Sequence, residues 1–298
     1  KRQFEDIVQE SNQSEENYEE VINSLPSGQV NFYASNEGYE LTLSEYESVS
    51  QKLEGEEESS SLKHLKTPMP RTIQEELMTL ERLPREVIAM RVAKELQDGN
   101  VVNLGIGIPS LCSQYVPEGR TVYYHSESGV LNYGPMAAEG EEDQDLINAS
   151  GQFLANVPGM SFFDSSQAFG MIRGGHIDVT VLGALQVSAK GDLANWMIPS
   201  RGIGNVGGAM DLAVGAKRVI VAMEHVDRNG TPKIVGECTF PLTAPSCVSL
   251  IVTDIAVISV EDKGLVLIET APGWEPSAIQ DETDAELIVS SNLSEVSL

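Results

Sequence analysis

VVNLGIGIPS, Val101 to Ser110, places a strand, a turn and a helix start within one short stretch. Val101, Val102 and Leu104 make an apolar, largely β-branched run that suits a buried strand. Gly105 and Gly107 let the backbone turn sharply and come close to a ligand. Pro109 then suits the first turn of a helix, whose amino end favours anions. Upstream, REVIAMRVAKEL (Arg85 to Leu96) sets Ile88, Val92 and Leu96 four apart with Ala89 and Ala93 beside them. That spacing predicts a helix stopped by Asp98-Gly99-Asn100. Downstream, the strand signal returns in TVYY (Thr121 to Tyr124), IDVTVLGAL (Ile177 to Leu185), RVIVAM (Arg218 to Met223) and SLIVTDIAVISV (Ser249 to Val260). Several of these runs are apolar on both faces. The expected fold class is therefore α/β: a single open-sheet domain, largely parallel or mixed, with helices packed around it.

This domain is expected over residues 83–298 of the 298-residue chain, and residues 1–82 read differently. Residues 1–62 hold fifteen acids and three bases, nearly half of a net charge of −26. Glu54 to Leu62 reads EGEEESSSL, a composition that stays solvated, and LKTPMPRT (Leu65 to Thr72) suits an extended connection. VNFYAS (Val30 to Ser35) and YELTL (Tyr39 to Leu43) flank Asn36-Glu37-Gly38 and suggest a hairpin. Few aliphatics make this an acidic N-terminal extension and linker, expected to be partly disordered, rather than a second core.

The acid excess argues against nucleic acid or an anionic membrane as partner, because phosphate contacts need clustered Lys and Arg. No apolar run approaches the roughly 18 residues of a spanning helix, and no secretory apolar region opens the chain. Cys112, Cys238 and Cys247 are far apart with no CxxC pair, so neither a disulfide framework nor zinc is expected, and a cytoplasmic location is.

Three segments offer chemistry. NLGIGIPS lacks the third glycine of a dinucleotide fingerprint, so alone it fits a tight strand-to-helix turn equally well. HSESG (His125 to Gly129) puts Glu127 at the carboxyl end of a strand, where α/β sheets build sites. Such a carboxylate serves as base, ligand or nucleophile, or is simply a solvated loop acid. In GNVGGAMDL (Gly204 to Leu212), Gly207 and Gly208 precede a short helix and offer amides to a ligand or a developing oxyanion. His125, His176 and His225 show no HxxxH or HExxH spacing, so no metal site is expected. A GxSxG elbow is absent, and Cys112 reads as a small buried residue.

NLGIGIP, HSESG, FFDSSQAFGMIRGGHIDVTVLGALQVS, GDLANWMIP, VGGAMDL, AKRVIVAMEH, CTFPLT and LVLIETAPG occur in this order. Together they resemble family I CoA-transferases, specifically the β subunit of 3-oxoacid CoA-transferases, over Leu83 to Val289. The resemblance implies CoA transfer between an acyl-CoA and a carboxylic acid, such as a 3-oxoacid with succinyl-CoA as donor. It implies a ping-pong path through a glutamyl-CoA thioester on Glu127, the counterpart of the glutamate in the family's Ser-Glu-Asn-Gly motif. Gly208 would be the oxyanion donor, and Gly105, Gly107 and Gly207 would line the CoA path. No cofactor or metal is implied beyond CoA carried by the substrates, and a separate α subunit is the implied partner.

Departures stand beside the matches. Ser128 replaces the family's Asn, and Asn205 takes the first position of a usual Gly-Met-Gly-Gly, where tolerance of left-handed backbone would matter. Ser200-Arg201 replaces Gly-Lys. The alternative reading is a non-catalytic CoA-transferase-like scaffold or binding subunit. A sugar-phosphate isomerase or effector domain ranks last, because the NLGIGIP and HSESG turns carry no bases for a phosphate.

Overall fold

The computed structural model describes residues 81–297 apart from 203 and 206. The hairpin expected across Val30 to Leu43 and the acidic run at Glu54 to Leu62 lie outside the described residues. The chain enters through helix α1 (Arg85–Ala93), which buries Ile88, Ala89 and Val92 completely. The helical periodicity continues to Leu96, but the helix ends earlier, because Leu96 N–H donates to Ala93 O in a tight turn. Leu96 still reaches the core. Among the described residues, no helix is long and apolar enough to cross a membrane.

Five strands form the parallel centre of a ten-stranded sheet: β1 (Val101–Leu104), β2 (Tyr123–Ser126), β5 (Val179–Leu182), β8 (Arg218–Ala222) and β10 (Val248–Val252). Their order is β10-β8-β5-β1-β2, so all five carboxyl ends lie on one edge. The short β3 (Val130–Leu131) and β4 (Ser161–Phe162) add antiparallel strands beyond β2. At the other side, β11 (Ala256–Glu261) and β12 (Gly264–Thr270) pair antiparallel, and β13 (Leu287–Glu295) runs parallel to β12. The helices between strands are α2 (Ile108–Leu111), α3 (Ser165–Arg173), α4 (Ala209–Gly215) and α5 (Pro276–Asp281).

Three strand expectations shift, each for a local reason. β2 starts at Tyr123 rather than Thr121 and runs to Ser126, because Asn103 of β1 pairs with His125 and Val130 of β3 pairs with Ser126. SLIVTDIAVISV is two strands: Thr253 Oγ1 accepts from the N–H groups of Ile255 and Ala256, and the chain reverses there. IDVTVLGAL breaks at Gly183, whose carbonyl accepts from Asn195 Nδ2 at 3.1 Å. The chain then enters β6 (Gln186–Ser188) of a separate three-stranded sheet with β7 (Leu193–Ala194) and β9 (Ile234–Val235). The open-sheet α/β expectation holds, and this small second sheet is an addition to it, since an apolar run does not reveal where a chain changes sheets.

An ionic bracket ties α1 to the sheet. Arg91, with its side chain 8% exposed, donates to Glu95 Oε1 at 2.8 Å and through Nε and Nη2 to both Glu269 oxygens at 2.7 Å. Arg218 of β8 reaches the other Glu95 oxygen at 2.7 Å. Burial opposes ionisation of Glu95, yet hydrogen bonds from Arg91 and Arg218 hold its carboxyl below the usual range. A depressed carboxyl adds stability above its unfolded pKa, and that increment fades as pH falls through the folded value. Arg91→Ala leaves two carboxylates with diminished pairing and is expected to cost about 3 kcal/mol. Arg173→Ala removes the exposed Arg173–Asp211 pair, which solvent screens, and is expected to cost far less. Urea midpoints at neutral pH check this, and equal effects of the two substitutions would refute the ranking.

Candidate active site

The parallel strands set the site's position before any side chain is considered. The connection after β1 leads to β2 on one side, while that after β5 leads to β8 on the other. Sheets of this kind open a crevice at such a reversal, outside the carboxyl ends. Gly105 follows β1 there. It donates its N–H to Val181 O of β5 at 2.8 Å, and a Cβ would stand 3.1 Å from that same oxygen. Its amide is thus committed to the sheet, and its small size allows the close approach. Gly107 is exposed, has φ +90°, and meets nothing within 4 Å of a Cβ position. Ser110 caps its carbonyl through both N–H and Oγ.

Glu127 emerges immediately after β2 and is half-buried. The turn that projects it depends on Gly129. Its φ of +114° excludes ordinary side chains, and a Cβ would lie 2.1 Å from Phe163 O. Gly129 N–H donates to Ser126 O, and Phe163 N–H donates to Gly129 O, both at 3.0 Å. On one side of the carboxylate, Asn103 Nδ2 donates to Oε2 at 3.0 Å. On the other stands Gly208, where a Cβ would lie 3.4 Å from Oε1 and 3.3 Å from Phe169 Cζ. Gly208 opens α4, and among the described residues no acceptor takes its N–H. The sheet thus brings Glu127 and Gly208 together. Gly207 is exposed and meets nothing within 4 Å of a Cβ position.

Asn103 and Phe169 belong to this site, although the sequence reading did not single them out. The available signal for Asn103 was an amide inside an otherwise apolar strand run. His125 is also closer to the site than metal-ligand spacing suggests: it is 1% exposed, stacks on Phe163 with ring centroids 6.0 Å apart, and lies 3.2 Å from Asn103 Nδ2 through Nδ1. Burial lowers its pKa from the usual range, against the opposing pull of Glu127. His225, by contrast, is a satisfied core residue. Both ring nitrogens meet threonine hydroxyls, at 3.0 Å (Thr253) and 2.8 Å (Thr283), and burial pushes its pKa down to about 4.

The departures from the family pattern have definite settings. Ser128 is exposed, and its hydroxyl lies 2.8 Å from Ser126 Oγ rather than turning to Glu127. Asn205 is exposed, donates its N–H to Trp196 O at 2.9 Å and is not left-handed, so this replacement of glycine carries no backbone penalty of that kind. Ser200 and Arg201 are exposed in a short 3₁₀ turn. The cysteines are free, and burial raises their thiols to about 12 for Cys112 and about 11 for both Cys238 and Cys247.

Comparison with known proteins bears on this arrangement. The pattern of the family described as Coenzyme A transferase matches residues 85–281. The β-type subunit of 3-oxoadipate CoA-transferase from Acinetobacter baylyi is 47% identical over 212 residues, spanning 71% of this chain and 98% of that protein. The corresponding subunit of succinyl-CoA:3-ketoacid coenzyme A transferase from Helicobacter pylori is 47% identical over 205 residues, spanning 69% and 99%. In fold, an acyl-CoA transferase from Escherichia coli O157:H7 superposes with a TM-score of 0.57 at 21% identity, over 72% of this chain and 44% of that one. With the family pattern covering the site and every strand of the large sheet but β13, and relatives matched nearly end to end, the chain belongs to the coenzyme A transferase family as an enzyme subunit of the β type.

Proposed function

We propose that this subunit moves CoA from an acyl-CoA to a 3-oxoacid by a ping-pong reaction through Glu127. The carrying observation is the placement of its carboxylate just beyond the carboxyl end of β2, between the Asn103 amide and the Gly208 backbone. A Glu127 oxygen attacks the thioester carbonyl, the C–S bond breaks, and CoA leaves as thiolate from a mixed anhydride. The thiolate attacks the glutamyl carbonyl, expels the first carboxylate, and leaves glutamyl-CoA. The acceptor carboxylate then attacks that thioester, and the thiolate returns to the new acyl carbon, freeing Glu127. No net proton is consumed, so the reaction asks for positioning and oxyanion stabilisation rather than acid catalysis. The Gly208 N–H, which no acceptor takes among the described residues, supports its assignment as one such donor. Gly107 and Gly207, open to solvent, suit an approach path for the CoA chain, with Gly105 shaping its wall.

Support for the substrate class comes from the two relatives, named for 3-oxoadipate and for a 3-ketoacid with succinyl-CoA. Both are named as subunits, which also supports an α chain as partner. Ile106, 68% exposed in the glycine turn, and Phe162, 66% exposed on β4, offer apolar surface to it. A scaffold without catalysis would have no use for a half-buried carboxylate held by an amide donor.

Glu127→Ala, assayed with the α chain, is expected to lose at least about 10³-fold in kcat while its melting transition stays cooperative. Retained transfer would remove Glu127 from the mechanism. With acyl-CoA as sole substrate, intact-mass spectra of the native enzyme should show a CoA-sized increment that borohydride converts at Glu127. Its absence under single-turnover conditions would count against the covalent path.

Ser128 gives a third expectation. Its exposed hydroxyl is turned from Glu127, so Ser128→Asn should alter the choice among acids more than the chemical step. One hydrogen bond of about 1 kcal/mol corresponds to a roughly fivefold change in relative kcat/KM. Acetoacetate, a longer 3-oxoacid and succinate test it, and an unchanged ranking for all three would show that position 128 does not read the acid.

A further inference from the structure

Asn103, Thr180 and His125 stand in register on three adjacent strands, β1, β5 and β2. All three are at most 1% exposed. Yet Asn103 Oδ1, Thr180 Oγ1 and His125 Nε2 have no hydrogen-bond partner among the described residues. Buried polar atoms are nearly always paired, and apolar side chains would fill these positions without that cost. A role beyond folding would account for keeping them polar.

The hydrogen bonds of Asn103 indicate that role. Its Nδ2 faces three acceptors: Glu127 Oε2 at 3.0 Å, His125 O at 3.2 Å and His125 Nδ1 at 3.2 Å. The carboxylate and the carbonyl can only accept, so the amide nitrogen rather than its oxygen must face them. His125 can join this set only with Nδ1 unprotonated and its proton on Nε2. We propose that His125 is a positioning residue for Glu127: its neutral ring accepts at Nδ1 from Asn103, locking the amide in the one orientation that delivers Nδ2 to the reacting carboxylate. Phe163 stacks on the ring and holds its plane. This inference rests on Glu127 being the nucleophile.

The lock fails when His125 gains a proton. Two donors then face each other across 3.2 Å, and turning the amide over would bring Asn103 Oδ1 against the carboxylate and the His125 carbonyl. Burial favours the neutral ring, whereas Glu127 and the Ala168 carbonyl of α3 favour the charged one. Nε2 itself has no hydrogen-bond partner among the described residues. Asn103 from β1, Thr180 from β5 and Phe163 beyond β4 carry no charge, and burial raises the Tyr124 and Tyr133 hydroxyls far above neutrality. The net effect is a lowered pKa, which favours the neutral ring.

The test compares kcat and KM from pH 4.5 to 8 for the native αβ enzyme and its His125→Gln, His125→Ala and Glu127→Ala forms. Glutamine can accept from Asn103 and never charges. His125→Gln should therefore keep kcat at pH 7.5 within about threefold while losing an acid limb that the native enzyme shows. His125→Ala should lower kcat by about tenfold with KM little changed. With Glu127→Ala inactive, a native-like acid limb in His125→Gln, or a native kcat in His125→Ala, overturns the positioning role and leaves Glu127 as nucleophile. Activity in Glu127→Ala overturns the nucleophile and this inference together. If the histidine variants do not fold, ¹⁵N spectra of the native enzyme still decide: His125 protonated on Nε2 at pH 7.5 is expected, and protonation on Nδ1 overturns the lock.

Discussion

The register between β1 and β2 is the constraint on which the site depends. Asn103 opposite His125 places an amide beside the carboxylate that follows β2, and a slip of one residue would turn that amide to the opposite face. The pairing is protected on both flanks. β5 binds the other edge of β1 through Val102, Asn103 and Leu104, and the Gly105 N–H closes the end of that ladder on Val181. Gly129 performs the matching task after β2, because its contact with Phe163 O leaves no room for a side chain. The side chains at this edge are thus placed by backbone pairing.

Much of this architecture was legible in the linear sequence, and the failures follow from local competition. VVNL and RVIVAM read as strands because β-branched runs bounded by turns have few other uses, and their cores match β1 and β8. TVYY was displaced by two residues because strand ends follow the partner strand, which composition does not disclose. IDVTVLGAL hid a change of sheet, since the same apolar residues suit both sheets and the break depends on a distant Asn195. Glu127 and Gly208 stood out through their motifs. Asn103 did not, because within NLGIGIP it resembles an ordinary turn-flanking residue until pairing puts it next to His125.

The two ends of α1 and β2 illustrate different ways of handling charge. Arg91, Glu95, Glu269 and Arg218 form an alternating set in which every charge has an opposite neighbour. Glu127 has no cationic partner within salt-bridge distance among the described residues; its close donor is a neutral amide. A cation there would bind the carboxylate more strongly, whereas a neutral amide orients it with less stabilisation. The same fold therefore uses full ion pairs between α1 and the sheet and a neutral donor beside Glu127.

The three cysteines carry a consequence for how such a protein fares in the presence of free CoA thiol and its disulfide. Thiol–disulfide exchange proceeds through the thiolate, and a thiol raised to about 11 is ionised in only about one molecule in ten thousand at pH 7. Cys112, raised to about 12 and enclosed in the core, is less available still. The folded chain thus presents little thiolate to such partners, and mixed disulfides with CoA would form slowly on it. Burial, complete at Cys112 and partial at the other two, thus keeps the folded chain's own sulfur slow to react.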